Sequence, residues 1–353
     1  MSGGSLRPDR PAPPPEPMEL GEPALRAVWS ARRRIVPYVR ETPLEHSPPL
    51  SDAAGVPVWL KLESLQATGS FKVRGAASAI TRLAPDARAR GVITFSTGNH
   101  GLAVAAVARR IGVRATVCVA QHTDAAKTEA IRRLGAALVV GGEGQDEAEL
   151  RCYELANDTG AAVIKPFDDP FVIAGQGTIA LEILDQHPQT GTVVVPLSGG
   201  GLAGGLALAL KLIDPRIRII GVSMEGGAAM YRSVAAGAPV AVPEAATLAD
   251  SLQGGIGQDN RFTFAIVRRY VDDLVLVSER AIGDAMALLF AAHRLVAEGA
   301  GAVGIAALLE GKIRPGDRDL AVVVSGRNVD PARYLRVVDL HLPHVLDRLA
   351  KRP

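Results

Sequence analysis

Lys72 lies in a stretch of small residues, "ATGSFKVRGAAS" (67–78), that could make a lysine chemically reactive. Ser70 is placed to act as an N-cap, which would put Lys72 on the opening turn of a helix. The helix macrodipole disfavours a positive charge at that end, and the neighbours Phe71 and Val73 would shield the amine from water. Lys72 is therefore a candidate nucleophile, and the alternative is a solvated surface lysine.

A glycine-rich segment, "SGGGLAGG" (198–205), follows an apolar run and opens a helical pattern. Its backbone N–H groups can converge on an anion at the positive end of the helix, and glycines let the main chain approach closely. A tight turn and a dinucleotide loop are the alternatives. The match to G-x-G-x-x-G is imperfect, and Glu225 is the one acidic residue near the required distance. The segment favours a phosphate monoester.

Two further loops follow β-branched runs. In "STGNHG" (96–101), four polar side chains stand beside backbone N–H groups at a predicted helix start, which suits a substrate carboxylate or the face of a cofactor. An ordinary capping loop is the alternative. In "VVSGRN" (323–328), Ser325 ends a predicted strand, and taken alone it would be a turn residue.

The elements that must position these loops alternate along the chain. Short β-branched runs such as "VITF" (92–95), "ATVCV" (115–119), "TVVVP" (192–196) and "DLAVVVS" (319–325) are separated by helical patterns. This alternation is typical of an α/β fold with parallel sheets covered by helices. We expect a disordered Pro-rich tail (1–20), a large lobe (21–90 and 169–342), a small inserted α/β lobe (91–168) and a C-terminal tail (343–353).

Composition excludes several function classes. The 39 basic and 37 acidic residues nearly balance, which argues against nucleic acid and for a small-molecule ligand. No apolar run reaches the ~18 residues of a membrane span, and the Pro-rich beginning has no signal-peptide core, so a cytoplasmic protein is expected. Cys118 and Cys152 are expected to be reduced core residues.

Together, "TGSFKVRGA", "STGNHG", "SGGGLAGG" and "SGRNVD" occur in an order that resembles the fold-type II pyridoxal-phosphate enzymes, in the branch of threonine/serine dehydratases and serine racemases. The resemblance covers about Thr42 to Asp330. Within the branch, "GVSMEGGAAM", "TLADSLQGGIGQDNRFTF" and "EGAGAVGIAALLEG" are most similar to hydroxyectoine-utilisation dehydratases. The resemblance implies two lobes, each with a mainly parallel twisted sheet flanked by helices, and a homodimer.

The resemblance also implies roles for residues. Lys72 would bind pyridoxal phosphate covalently and later move the substrate's α-proton. Phe71 would lie against the cofactor ring, Asn99 would bond the ring hydroxyl, and Ser325 would face the pyridine nitrogen. The cofactor phosphate would be held by the N–H groups of Ser198, Gly199, Gly200, Gly201 and Leu202. The substrate carboxylate would be bound by Ser96, Thr97, Asn99 and His100.

The activity implied is removal of water from a β-hydroxy amino acid or related compound, giving a keto acid and ammonia, with hydroxyectoine breakdown as the favoured pathway. A neutral Ser325 at the pyridine nitrogen suits elimination because it makes the ring a weaker electron sink than an Asp would. A general L-threonine/L-serine dehydratase or a 3-hydroxyaspartate dehydratase is the nearest alternative. A nucleotide-binding α/β protein and a non-catalytic amino-acid sensor are alternatives from other classes.

This chain departs from the family pattern at two places. Serine racemases carry a second Ser where this chain has Thr97, whose β-branched side chain is stiffer, so racemisation is disfavoured. The family's metal site pairs a Glu with an Asp six residues later, whereas here Glu225 is followed by Tyr231. No metal is therefore expected, and Glu225 is only a weak candidate ligand. Glu298 is either a residue near the cofactor ring or an ordinary helix-terminal carboxylate.

Overall fold

The computed structural model describes residues 22–96, 98–121, 125–314, 316 and 318–350. The strands are β1 Leu44–His46, β2 Val58–Lys61, β3 Val92–Phe95, β4 Ala115–Val119, β5 Ala137–Val140, β6 Ala162–Val163, β7 Thr192–Pro196, β8 Arg218–Met224, β9 Asp273–Val277 and β10 Leu320–Val323. The helices are α1 Glu22–Ile35, α2 Pro48–Ala54, α3 Lys72–Arg82, α4 Pro85–Arg90, α5 Asn99–Ile111, α6 Ala125–Arg133, α7 Gln145–Thr159, α8 Pro170–Gln186, α9 Gly201–Ile213, α10 Ala229–Ala236, α11 Thr263–Tyr270, α12 Glu279–His293, α13 Gly299–Leu309 and α14 Pro331–Ala350. Two 3₁₀ turns lie at Glu63–Leu65 and Asp250–Leu252.

The larger sheet has six strands in the order β1-β2-β10-β7-β8-β9, and only β1 runs antiparallel to its neighbour. Its central strand β7 is buried along its whole length. Val193 and Val195 pack among residues of α8 and α9 on one face, while Val194 packs with α13 on the other. Helices on both faces explain why this strand reads as a continuous apolar run rather than an alternating one.

The smaller sheet is parallel throughout, in the order β5-β4-β3-β6. All four of its strands lie between residues 92 and 163, within the range expected for the inserted lobe. The α/β class and the parallel sheets flanked by helices are confirmed. Both cysteines are fully buried between β4 and α7, as expected.

The two sheets place the chemically interesting loops at the carboxyl ends of parallel strands. β3 leads into α5 through residues 96–98, β7 leads into α9 through 197–200, and Ser325 follows β10. In open α/β sheets ligands bind at such strand ends, because helix N-termini and free backbone N–H groups collect there.

Four buried charges fix the helix that starts with Lys72. Arg74, on the first turn of α3, donates to Glu63 at 2.7 and 2.8 Å and to Glu182 of α8 at 2.6 and 2.8 Å. Lys61 at the end of β2 donates to Glu182 at 2.7 Å. None of the four side chains is more than 7 % exposed, so the attraction acts in a medium of low dielectric constant. Two cations and two anions leave the network neutral.

Two expectations about local structure were wrong. Ser70 does not cap α3: the helix begins at Lys72, Phe71 is the N-cap residue, and no side chain caps it. Residues 343–350, for which the sequence predicts a tail, form the last turns of α14, and Val345 is buried against the core. No helix in the described part of the chain is long and apolar enough to cross a membrane.

Replacing Arg74 with Met should lower the free energy of unfolding by about 3–5 kcal/mol, because Glu63 and Glu182 would lose the guanidinium that they share and Glu182 would keep only Lys61 as a cationic partner. Chemical denaturation of the variant and of the unchanged chain measures the difference. Arg133→Met is the matched control: Arg133 pairs with Glu129 one helical turn away on an exposed surface, and its loss should cost less than about 1 kcal/mol. Equal losses for the two variants would contradict the assignment of the buried network.

Candidate cofactor and substrate site

Lys72 is the first residue of α3, and its amine reaches toward the segment that follows β6. Its Nζ donates a hydrogen bond to the carbonyl oxygen of Pro166 at 2.8 Å. Burial of the amine lowers the pKa of Lys72 to about 8, although the carboxylate of Glu298 acts in the opposite direction. At pH 7 roughly a tenth of the amine is therefore uncharged, far more than in an ordinary lysine, and a nucleophile or a base requires this uncharged form.

The glycine loop after β7 offers unpaired donors. Among the described residues, none of the backbone N–H groups in the run 198–202 donates to another backbone group. Gly200 is the N-cap residue of α9, with φ of 87°, a left-handed conformation that favours glycine. The free N–H groups and the positive helix end together form a site for an anion such as a phosphate.

Phe167 connects the lysine to this loop. It follows Pro166, the acceptor for Lys72, and its ring packs directly on Gly199, where an added Cβ would lie 2.5 Å from the ring. A Cβ at Gly201 would lie 2.9 Å from the Cβ of Phe167. The glycines are thus needed for packing as well as for a close approach to an anion. Because Pro166 contacts the amine and the adjacent Phe167 contacts the glycine loop, the amine and the loop lie close together.

The polar loop after β3 is held from two sides. Asn99, the first residue of α5, donates through Nδ2 to Glu298 Oε1 at 2.7 Å and accepts through Oδ1 from Asn328 at 2.6 Å. Nδ2 has a second hydrogen that remains for a ligand. Asn99 is 8 % exposed, and Glu298, the N-cap residue of α13, is 2 % exposed and does not cap that helix through its side chain.

His100 is a buried neutral imidazole. Its Nε2 lies 2.9 Å from the carbonyl oxygen of Ile164, and a carbonyl can only accept, so Nε2 carries the hydrogen. Burial, with a smaller effect from the charge of Lys72, lowers the pKa of His100 to about 3. Ser96, also in this loop, is half-buried and accepts from the N–H of Gly98 at 3.4 Å. Thr97 lies outside the described residues.

Ser325 is brought next to Lys72 by the backbone. The N–H of Phe71 donates to the carbonyl oxygen of Ser325 at 3.1 Å, and Ser70 forms an isolated bridge with Gly326. Ser325 is 3 % exposed. The structure thus brings together the four sequence motifs, which are separated by up to about 250 residues in the chain.

Sequence reasoning missed several residues of the site. Asn328 joins Asn99 to the carbonyl oxygen of Thr68, and it lies inside the quoted "SGRN" motif, so an amide after a strand-end serine was a usable signal. Phe167 and Pro166 had no such signal. Asp168 accepts from three consecutive backbone N–H groups, those of residues 261–263, and so fixes the start of α11 beside the glycine loop.

These residues fit pyridoxal phosphate. The cofactor needs an anion site for its phosphate, a primary amine for its aldehyde and a buried wall for its ring. The unpaired N–H groups at the start of α9, the amine of Lys72 and the half-buried ring of Phe71, with its centroid 5.3 Å from Lys72 Nζ, supply them. The surroundings of Glu225 do not fit a divalent cation, because the ammonium of Lys312 lies 3.4 Å from its carboxylate.

Comparison with known proteins decides the family. A family model described as pyridoxal-phosphate dependent enzyme matches residues 35–326. The chain belongs to this family. A putative threonine dehydratase of Sinorhizobium fredii is 47% identical over 321 residues, covering 91% of this chain and 97% of that protein. An L-threonine ammonia-lyase of Thermotoga maritima is 39% identical over 315 residues, covering 89% and 78%.

Solved structures agree with this family. Maize serine racemase superimposes with a TM-score of 0.84 at 34% identity, covering 91% of this chain and 98% of that one. This member of the pyridoxal-phosphate-dependent family is thus an ammonia-lyase of the threonine-dehydratase type, and its cofactor is pyridoxal phosphate.

The rate at which the cofactor-free enzyme captures pyridoxal phosphate should rise with pH, with a midpoint at the Lys72 pKa of about 8, because only the neutral amine reacts. Absorbance of the bound cofactor follows the capture. Glu298→Gln removes a carboxylate that raises this pKa, so the midpoint should move to lower pH. A midpoint near the ordinary lysine value of about 10.4, unchanged by the substitution, would contradict this environment for Lys72.

Proposed function

We propose that this enzyme is an L-threonine dehydratase, which removes water from a β-hydroxy amino acid and releases a keto acid and ammonia. The proposal rests on two adjacent residues: Pro166 accepts a hydrogen bond from the amine of Lys72, and Phe167 packs on the glycine loop. The names of the relatives, a putative threonine dehydratase and an L-threonine ammonia-lyase, support this substrate class.

Lys72 is the residue that holds the cofactor and moves the α-proton. An amine with a pKa of about 8 is present in both charge states near neutral pH, so it can accept a proton and return it. The carbonyl oxygen of Pro166 orients Nζ by accepting its hydrogen bond. Pyridoxal phosphate, when bound, supplies the electron sink for the charge that develops at the α-carbon.

The other walls of the cleft hold the cofactor in place. The N–H groups of Ser198, Gly199, Gly200, Gly201 and Leu202 would bind its phosphate. Phe71 would pack against the ring, and the spare hydrogen of Asn99 would bind the ring hydroxyl. Ser325 would face the pyridine nitrogen. Since a serine hydroxyl carries no charge, it leaves the ring a modest electron sink, which favours a reaction that expels the β-hydroxyl at once.

The start of α5 binds the substrate carboxylate. Ser96, Thr97, Asn99 and His100 are the proposed contacts, with backbone N–H groups at the positive helix end as the main donors. His100 contributes no positive charge, because its pKa of about 3 keeps the imidazole neutral. The carboxylate is therefore held by dipoles and hydrogen bonds. Every β-hydroxy amino acid has this carboxylate, so these contacts do not distinguish one substrate from another.

Several finer expectations stay predictions. Hydroxyectoine degradation is not supported by the relatives, while the general threonine dehydratase alternative fits them. The homodimer and the cytoplasmic location also stay predictions. The division into a small inserted lobe (91–168) and a large lobe (21–90 and 169–342) is proposed on the separate sheets, which share no strand.

A substrate panel tests the function. The purified enzyme should release keto acid and ammonia from L-threonine at a higher kcat/KM than from L-serine, 3-hydroxyaspartate or hydroxyectoine-derived compounds.

Lys72→Ala should lower kcat by at least about 10²–10⁴-fold, because the proton-transferring amine is lost. Lys165→Ala is the control, since Lys165 lies in the same segment as Pro166 and should keep turnover. A protein that binds pyridoxal phosphate but turns over no amino acid would favour the sensor alternative.

A further inference from the structure

A second charged cluster lies away from the cofactor cleft, around the ammonium of Lys312. Its Nζ lies 2.8 Å from the carbonyl oxygen of Leu276, 2.8 Å from Glu310 Oε2 and 3.4 Å from Glu225 Oε1. Lys312 and Glu310 are each 22 % exposed, whereas Glu225 is 56 % exposed. One ammonium is thus surrounded by two carboxylates and a main-chain carbonyl.

This set of oxygens is what a hard divalent cation takes as ligands in proteins. Glu225 is also the position at which the resemblance would place a metal ligand, with Tyr231 where a second carboxylate would be needed. Tyr231 packs against the apolar cluster of α9 and α10. No group of three or more metal-ligating side chains occurs in the described part of the chain. The ammonium of Lys312 therefore occupies the position between Glu225 and Glu310 that a bound cation would take.

The cluster joins the ends of four elements, β8, β9, α12 and α13. Glu225 directly follows β8, and its N–H donates to Val277 at the end of β9. Glu310 is the C-cap residue of α13 and accepts from Ser278, the N-cap of α12, at 2.6 Å. Lys312 ties these ends together by pairing with both carboxylates.

The segment that Glu225 begins leads to the floor of the glycine loop. Residues 226–228 pass into α10, and Met230 of that helix packs under Gly200, where an added Cβ would lie 2.8 Å from the methionine methyl carbon. Fixing Glu225 therefore limits how far α10 can move away from the loop that binds the phosphate. A divalent cation at Glu225 would restrain the same segment.

We propose that the ammonium of Lys312 is a built-in replacement for a divalent cation, so that this enzyme binds its cofactor without metal. An ordinary lysine is charged well above neutral pH, so the amine that lies 2.8 Å from Glu310 Oε2 is an ammonium in the pH range in which the enzyme would work. Unlike a metal ion, it is covalently attached and cannot be removed by a chelator.

The test compares the holoenzyme with Lys312→Met, which keeps most of the length of the side chain and removes the charge. In the unchanged enzyme, the melting temperature and the dissociation constant of pyridoxal phosphate should be the same in EDTA, Mg²⁺ and Ca²⁺. In Lys312→Met, the cofactor should bind at least about tenfold more weakly, and Mg²⁺ or Ca²⁺ should restore part of the loss because two carboxylates are left unpaired.

Two controls make the result specific. Lys211→Met removes another partly buried lysine, paired with Asp272 at 2.7 Å, and should show no metal-dependent recovery. Lys312→Arg keeps the charge and should stay insensitive to EDTA, which covers the case in which Lys312→Met does not fold. Weaker cofactor binding of the unchanged enzyme in EDTA would overturn the proposal. So would a loss in Lys312→Met that neither metal reverses, or no loss at all.

These readouts do not involve turnover of an amino acid. If the proposal about Lys312 fails, the dehydratase assignment is unaffected. If the dehydratase assignment fails, cofactor binding with and without metal can still be measured and still tests the role of Lys312.

Discussion

The hydrogen bond from the Lys72 amine to the carbonyl oxygen of Pro166 is the interaction on which the rest of the site depends. It holds a buried amine in place without a counter-ion in direct contact, so the desolvation that lowers its pKa is not cancelled. The next residue, Phe167, packs on the glycine loop. One short segment therefore sets both the position of the nucleophile and the position of the anion site.

The buried charges around Arg74 have a complementary purpose. They join the first turn of α3 to β2, to the 3₁₀ turn after it and to α8, so the helix that starts with Lys72 cannot rotate or slide without breaking several short hydrogen bonds. Such networks are weak evidence for net stability, but removing one partner is costly. The network instead fixes the direction of Lys72, which lies two positions before Arg74.

Strands that depend on local sequence patterns could be predicted from the sequence. The runs "VITF", "ATVCV" and "TVVVP" are strands with the expected ends, because β-branched residues buried on both faces leave a continuous signal. The loops after β3 and β7 could be singled out because glycines and short polar residues cluster there at a strand end. The family resemblance added the cofactor, which the comparisons confirm.

Contacts between distant segments could not be predicted. Nothing in the residues around 166–167 indicates that they would meet both Lys72 and Gly199, and nothing near Lys312 indicates Glu225, which lies 87 positions away. The expected cap at Ser70 failed because a serine before a helix is only a statistical signal, and here the chain turns through Phe71 instead. The end of α14 was missed because its buried residues are widely spaced among exposed ones.

The central claim is that Lys72 is the residue that binds the cofactor. Borohydride reduction of the holoenzyme, followed by proteolysis and mass spectrometry, tests this most directly, because reduction makes the link between amine and cofactor permanent. Reduction should give a single pyridoxyl-modified peptide, with the modification on Lys72. A modification on another lysine, with Lys72 unmodified, would contradict this claim.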